Sequence, residues 1–122
     1  MSNIDRRRRI REYKETPRSA GVYRVRNAAA RKSLIGATPD LSGMLNRQRF
    51  QLENGSHPDK ELQRDWSALG SDNFEFEILD KLEPSDEPTY DPTEDLASLK
   101  NMWIEKLVAS GETLYPRSRK GS

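Results

Sequence analysis

The spacing of apolar residues changes along this chain, from the two-residue alternation of a strand to the three- and four-residue spacing of a helix. The order of these segments constrains the fold more than any single residue does. Apolar and polar side chains alternate over residues 21–27, which predicts a strand, and residues 33–37 form its expected hairpin partner. A second alternating segment, Phe74 to Ile78, predicts a third strand that is buried on one face. Between and after these strands the apolar spacing becomes helical, so the predicted element order is β-β-α-α-β-α.

Three segments carry apolar residues at the three- and four-residue spacing of a helix face. The first helix is predicted to open at Asp40 and to end at Gly55, and the second to start within residues 56–59 and to stop at Gly70. The buried face of the second helix is predicted to consist of Leu62, Trp66 and Leu69. The stripe of the last helix is Leu96, Leu99, Trp103 and Leu107. These elements predict an α+β fold in which helices flank a small three-stranded antiparallel sheet.

A chain of 122 residues supplies one hydrophobic core, so a single domain is expected. We assign this domain to residues 20–116, with a basic N-terminal arm or short helix at 1–19 and a C-terminal tail at 117–122. The absence of cysteine excludes disulfides, thiolate metal ligands and cysteine catalysis. No apolar run approaches the roughly 20 residues that span a bilayer, and no apolar segment follows the Arg-rich start. A cytoplasmic protein without membrane contact is therefore expected.

The formal net charge of +1 conceals two oppositely charged halves. Residues 1–50 contain 13 Lys and Arg against 4 Asp and Glu, whereas residues 51–122 contain 8 against 16, so the halves carry +9 and −8. The positive half begins with four consecutive arginines, Arg6, Arg7, Arg8 and Arg9. Such an arm can neutralise phosphates, although short arginine runs also serve solubility alone. The acidic residues concentrate at 83–95, where three prolines predict a loop that repels a phosphate backbone.

Two polar side chains interrupt the apolar helix stripes. Gln48 lies four residues before Leu52, and Lys100 lies four residues after Leu96. Residues at this spacing share one face of a helix, so both polar side chains begin on the inward side. Each can extend to the rim of the core and reach water. Together with Tyr23 on the first strand, however, they predict a shared polar cleft.

Several short motifs occur in a fixed order and at compatible spacing. They are Gly21-Val22-Tyr23, Arg24-Val25-Arg26-Asn27, Leu34-Ile35-Gly36, Asp40-Leu41, Asn54-Gly55-Ser56-His57, Leu62-Gln63, Trp66 and Phe74-Glu75-Phe76. This ordered set, which covers about half of the chain, resembles the GIY-YIG nuclease family, especially its phage-borne and homing-endonuclease-like members. The resemblance implies a GIY-YIG fold and a metal-dependent cleavage of phosphodiesters.

The resemblance also assigns roles to individual positions. In the family, a tyrosine of the first triplet accepts the proton of the attacking water and a second tyrosine opens the second triplet; these positions fall on Tyr23 and Leu34. The family's helix arginine falls on Met44, and its His or Tyr falls on Gln48, which cannot shuttle a proton. The family's glutamate, which binds a divalent cation that is usually Mg²⁺, falls on Lys100, and an ammonium group repels such a cation.

Few neighbouring side chains are placed to take over these roles. Arg47 can lean toward a phosphate from the helix edge or remain solvated. Glu105 lies roughly 140° around the helix from the family's glutamate position and is expected to point away. Glu75 and Glu77 are suitable metal ligands in kind, and their distance from the cleft is open. His57, the only histidine, is expected to support a helix start rather than catalysis.

These substitutions lead to one main hypothesis and two alternatives. The main hypothesis is a GIY-YIG-fold protein that binds the phosphate backbone of nucleic acid, with DNA favoured, and whose hydrolytic activity is lost or greatly weakened. No metal or cofactor is expected, and the residues predicted to bind nucleic acid are Arg6, Arg7, Arg8, Arg9, Arg47 and Lys100. One alternative is an active Mg²⁺-dependent endonuclease with relocated ligands. The other is a protein-interaction module, which includes self-association.

Overall fold

The computed structural model of the protein describes residues 19–83 and 87–119, so the predictions for the basic arm, including Arg6 to Arg9, lie outside the described residues. The strands are β1 (Gly21–Asn27), β2 (Lys32–Thr38), β3 (Phe74–Lys81) and β4 (Thr113–Leu114). The helices are α1 (Leu41–Glu53), α2 (Lys60–Leu69) and α3 (Thr93–Ala109). Two 3₁₀ helices complete the fold, one at Ser71–Asn73 and a C-terminal 3₁₀ helix at Pro116–Arg119. No helix in these ranges is both long and apolar enough to cross a membrane.

The predicted α+β class is confirmed, with one addition to the sheet. The strand order is β3-β1-β2-β4, and the central strand β1 is antiparallel to both β2 and β3. Strand β4 runs parallel to β2 and pairs with it over only two residues, Lys32 with Thr113 and Ser33 with Leu114. The sheet is therefore mixed and four-stranded, whereas three antiparallel strands were predicted. A two-residue strand is too short to show a period in the sequence.

Aspartates start both of the first two helices. The Asp40 side chain accepts a hydrogen bond from the Gly43 backbone N–H at 3.1 Å, and the Asp59 side chain accepts one from the Leu62 N–H at 3.1 Å. Such bonds satisfy amides that have no partner within the helix. Gly70 follows α2 with a φ of 91°, a conformation that glycine adopts without strain, and ends the helix as predicted.

The core consists of two hydrophobic clusters, one on each face of the sheet. The cluster beneath α1 and α2 contains Val25, Leu34, Leu52, Leu62, Trp66, Phe74 and Tyr115. The cluster beneath α3 contains Val22, Ile35 and Ile104, with Ala37, Leu79, Leu99, Trp103, Leu107 and Leu114 packed against it. Because successive strand residues point to opposite faces, Tyr23 shares the face of Val25, and Arg24 shares the face of Val22.

Some details of the predicted core and loop are wrong. Leu69 is 45% exposed because it is the last residue of α2 and lies outside the core cluster. Ile78, in the middle of β3, is also 45% exposed. The acidic stretch is not entirely a loop, since Glu94 and Asp95 lie in the first turn of α3. Negative side chains at a helix N-terminus complement the helix dipole, which accounts for a helix that begins within an acidic segment.

The folded unit continues beyond residue 116, where the sequence analysis ended it. Ser118 is fully buried, its hydroxyl accepts a hydrogen bond from the Ile35 N–H at 2.8 Å, and it donates one to the Ser33 carbonyl at 3.2 Å. The C-terminal 3₁₀ helix therefore covers the edge of β2 that β4 leaves open. This segment also completes the site described next.

Candidate functional site

A cavity of about 790 Å³ lies beside β2, between α1 and the N-terminal half of α3. Its lining includes all the site residues that the sequence predicted within the described part of the chain: Tyr23, Leu34, Met44, Arg47, Gln48 and Lys100. The predicted cleft shared by Tyr23, Gln48 and Lys100 is therefore present in the fold. Among the other lining residues are His57, Asn101 and Arg117, which were not predicted to lie there.

The phenol of Tyr23 forms part of the cavity wall. Tyr23 on β1 pairs with Gly36 on β2, and a methyl group added to Gly36 would lie 2.3 Å from the tyrosine oxygen. A side chain at position 36 on β2 would therefore collide with the ring of Tyr23, which crosses the strand at this point. Burial raises the pKa of Tyr23 to about 12, although the nearby Arg117 and Arg47 lower it. At neutral pH the phenol is protonated, so it is a hydrogen-bond donor and a weak general base.

Gln48 is held in one orientation by His57. The Asp59 backbone N–H donates to Nδ1 of His57 at 2.9 Å, so the neutral ring carries its proton on Nε2. Nε2 lies 2.5 Å from Oε1 of Gln48, which must then accept the bond. The amide NH₂ of Gln48 is left as a donor, with the sulfur of Met44 at 3.5 Å. Burial lowers the pKa of His57, which keeps the ring neutral.

His57 also supports the start of α2, as the sequence predicted, through its bond to the backbone of Asp59. Both groups at this helix start are buried, with His57 4% and Asp59 2% exposed. The sequence analysis missed the second function of His57, which is to orient Gln48. The one feature of the sequence that could have indicated this contact is that Gln48 and His57 are nine positions apart, on either side of the predicted turn at Gly55.

Arg117 reaches the cavity because the C-terminal 3₁₀ helix is attached to the start of α2. Its backbone N–H donates to Oδ2 of Asp59 at 3.0 Å, while Oδ1 of the same carboxylate caps α2. The positive charge of Arg117 lowers the pKa of both Tyr23 and His57, so the guanidinium lies within electrostatic reach of both rings. The bond to Asp59 joins residues 58 positions apart, and no periodicity in the sequence indicates it.

The cavity is cationic. Arg47, Lys100 and Arg117 line it, and no Asp or Glu of the described ranges does. Lys100 is half-buried, and burial lowers its pKa. Glu105 is exposed and outside the lining, as predicted. Mg²⁺ requires negatively charged oxygen ligands, so the residues that line the cavity do not fit this ion. Elsewhere in residues 19–83 and 87–119, no group of three His, Asp or Glu is suited to a metal.

The glutamates of β3 are engaged on the other face of the sheet. Arg24 donates to Glu77 through Nε at 2.9 Å and Nη2 at 2.6 Å, and Nη1 of Arg26 lies 3.9 Å from Glu75. Both arginines alternate with Tyr23 along β1, so these ion pairs lie on the sheet face opposite the phenol. Glu75 and Glu77 therefore do not approach the cavity as metal ligands.

The fold is GIY-YIG-like, in agreement with the resemblance found in the sequence, as two solved structures show. One solved structure with this fold is a mutant of the catalytic domain of intron endonuclease I-TevI, with 24% identity and a TM-score of 0.60 over 78% of this chain and 90% of that chain. Another is the catalytic domain of homing endonuclease I-TevI, with 27% identity and a TM-score of 0.60 over 79% of this chain and 95% of that chain. No protein-family model and no curated protein sequence matches the chain.

Proposed function

We propose that this GIY-YIG-fold protein binds the phosphate backbone of nucleic acid, with DNA favoured, and that its hydrolytic activity is lost or strongly weakened. The observation that carries this proposal is the composition of the cavity. The residues that the resemblance assigns to the family's catalytic positions line it, three cations are among the lining residues, and no carboxylate from the described ranges is. Both structural neighbours are named as endonucleases, which supports nucleic acid as the ligand here.

Binding is supported by the kind of polar groups that face the cavity. Lys100 and Arg47 supply fixed positive charge, and a charge-assisted hydrogen bond of this type contributes roughly 1.5–3 kcal/mol. The amide NH₂ of Gln48 and the phenol of Tyr23 add neutral donors. In this arrangement the ammonium of Lys100 neutralises a phosphate directly and supplies none of the Lewis-acid chemistry of a metal ion.

Weak hydrolysis is supported by the side chains at Tyr23, Leu34 and Gln48, which are poor acceptors for the proton of the attacking water. With a pKa of about 12, only about 10⁻⁵ of the Tyr23 phenol is ionised at pH 7. Leu34 has no titratable group, and Gln48 cannot exchange a proton. General acid–base catalysis typically contributes about 10²–10⁴-fold in rate, and these three positions supply no strong proton acceptor toward it.

A binding assay across a salt series tests the first part of the proposal. Duplex and branched DNA should be retained in a mobility-shift assay at low salt and released at high salt, because binding releases counterions from the phosphates. Arg47→Gln and Lys100→Gln should each weaken binding several-fold. Arg64→Gln and Lys60→Gln are the matched controls, since both residues are exposed on α2 and do not line the cavity. The absence of a shift at every salt concentration would contradict the proposal.

A cleavage assay tests the second part. Plasmid incubated with the protein and Mg²⁺ or Mn²⁺ should remain supercoiled, with Tyr23→Phe as the control for contaminating nuclease. Metal-dependent nicking that disappears in Tyr23→Phe would establish the active endonuclease instead. If DNA never binds, and a protein partner is still bound after Arg6, Arg7, Arg8 and Arg9 are neutralised, the interaction module is correct.

A further inference from the structure

The cations of the cavity come from three separate parts of the chain. Arg47 lies on α1, Lys100 on α3 and Arg117 on the C-terminal 3₁₀ helix, so positive charge borders the space from different sides. An internal phosphodiester offers these groups a single negative charge. A phosphomonoester has three unesterified oxygens and a charge of about −1.5 to −2 at pH 7, because its second pKa is about 6. The three positive charges of the lining therefore match a phosphomonoester better than a phosphodiester.

The acidic start of α3 lies next to this cavity. Thr93, the first residue of α3, lines the cavity, and the neighbouring Asp91, Glu94 and Asp95 are all exposed. A nucleic acid strand that continued past the cavity on this side would bring its phosphates close to these carboxylates and be repelled. A strand that ends in the cavity avoids this repulsion, as does a single nucleotide.

The size and the neutral donors of the cavity are also suitable. Its volume of about 790 Å³ exceeds that of a phosphate group and falls within the range of roughly 300–1,000 Å³ found for small-molecule sites. The bond from His57 fixes the amide of Gln48 with its NH₂ as donor, and Tyr23 offers a phenolic O–H. These groups can donate to phosphate oxygens in addition to the three cations.

We propose that the cavity binds a phosphomonoester dianion, supplied either by the terminal phosphate of a nucleic acid strand or by a free mononucleotide. The inference rests on the proposed function, because both place a phosphate in the same cavity. It goes further by making Arg117 a phosphate-binding residue and by setting a preference between a strand end and the interior of a strand.

Oligonucleotide duplexes that differ only at their ends test this preference. Internally labelled duplexes with a 5′-phosphate, a 3′-phosphate or hydroxyls at both ends are compared by fluorescence anisotropy at one salt concentration. One of the phosphorylated ends should bind about tenfold more tightly than the hydroxyl end, or more. Arg117→Gln should abolish this preference, whereas Arg64→Gln, which removes an equal charge from the exposed surface of α2, should preserve it.

Two further arms use the unaltered chain, and the first of them separates the two sources of the phosphate. Deoxyadenosine 5′-monophosphate should displace the phosphorylated duplex, and deoxyadenosine should not; displacement without any preference for phosphorylated ends identifies the free nucleotide as the source. The preference should also decrease as the pH falls from 7 to 5, because the phosphate gains its second proton near pH 6.

The possible failures are distinguishable. Duplexes that bind equally well with phosphate and hydroxyl ends, and that deoxyadenosine 5′-monophosphate does not displace, would refute the phosphomonoester site and leave the proposed backbone binding intact. Direct binding of deoxyadenosine 5′-monophosphate by a protein that binds no duplex at any salt would support this site and refute the proposed function. Binding of neither ligand would refute both.

Discussion

Replacing Asp59 with alanine should both destabilise the fold and weaken phosphate binding. This buried carboxylate caps α2 through the Leu62 N–H at 3.1 Å and holds the Arg117 N–H at 3.0 Å. One side chain thus joins the start of a helix to the C-terminal segment that carries a cavity cation. Its loss should release Arg117 from its place beside Tyr23 without removing the arginine itself.

The magnitude follows from the two hydrogen bonds. Loss of an N-cap costs about 1 kcal/mol, and loss of a hydrogen bond to a charged group costs roughly 1.5–3 kcal/mol. Asp59→Ala should therefore lower the free energy of unfolding by about 3 kcal/mol in all. At a denaturant dependence of roughly 1.5 kcal/mol per molar urea, the unfolding midpoint should fall by about 2 M.

Urea unfolding followed by circular dichroism measures this change, with Asp40→Ala as the matched control. Asp40 caps α1 through the Gly43 N–H at 3.1 Å, so its replacement removes the same kind of helix cap. Loss of that cap should cost about 1 kcal/mol. Equal losses in the two variants would refute the reasoning, because the second bond of Asp59 would then contribute nothing.

Four further predictions concern the cavity. The raised pKa of Tyr23 means that its contribution to stability is present below pH 10 and lost as the pH rises toward 12, so Tyr23→Phe should flatten this decline in urea midpoints. The lowered pKa of His57 has the opposite sign: stability is lost as the pH falls below about 6.5, and NMR of this single histidine should show a titration midpoint below that of the denatured chain. Lys100→Gln should reduce the slope of log affinity for duplex DNA against log salt by about 0.9, and an unchanged slope would place this lysine outside the phosphate contacts. Gly36→Ala should cost about 1–3 kcal/mol of stability because the new methyl group displaces the tyrosine ring, and native-like stability with native-like binding would contradict that clash.

Much of the fold could be predicted because it depends on local patterns. Alternation over β1 predicted the central strand, and Asp40 predicted the start of α1. The inward position of Gln48 followed from its spacing to Leu52 alone, and the side chain is 7% exposed. Lys100 likewise lies where its helical spacing placed it, in the cavity lining.

The rest of the site depends on contacts between distant parts of the chain. Strand β4 has two residues, and its pairing with β2 is what directs the C-terminal 3₁₀ helix toward the cavity. Arg117 follows a proline in a segment that is charged and short, which resembles a tail when only the sequence is considered. Its place in the cavity is determined by Asp59, and hydrogen bonds over such a separation have no local pattern.

The placement of fixed cations gives a physical reason why binding and cleavage can separate in this fold. Lys100, Arg47 and Arg117 are attached to elements held by the core, so their attraction to a phosphate is already present before any bond breaks. An interaction that is equally strong in the bound ground state and in the transition state increases affinity without increasing the rate of the chemical step. Acceleration also requires a group that takes a proton or stabilises charge as it develops, and the protonated phenol of Tyr23 does not meet the first requirement. Under the proposed function, a cavity with this composition would therefore retain a phosphate rather than cleave its ester bond.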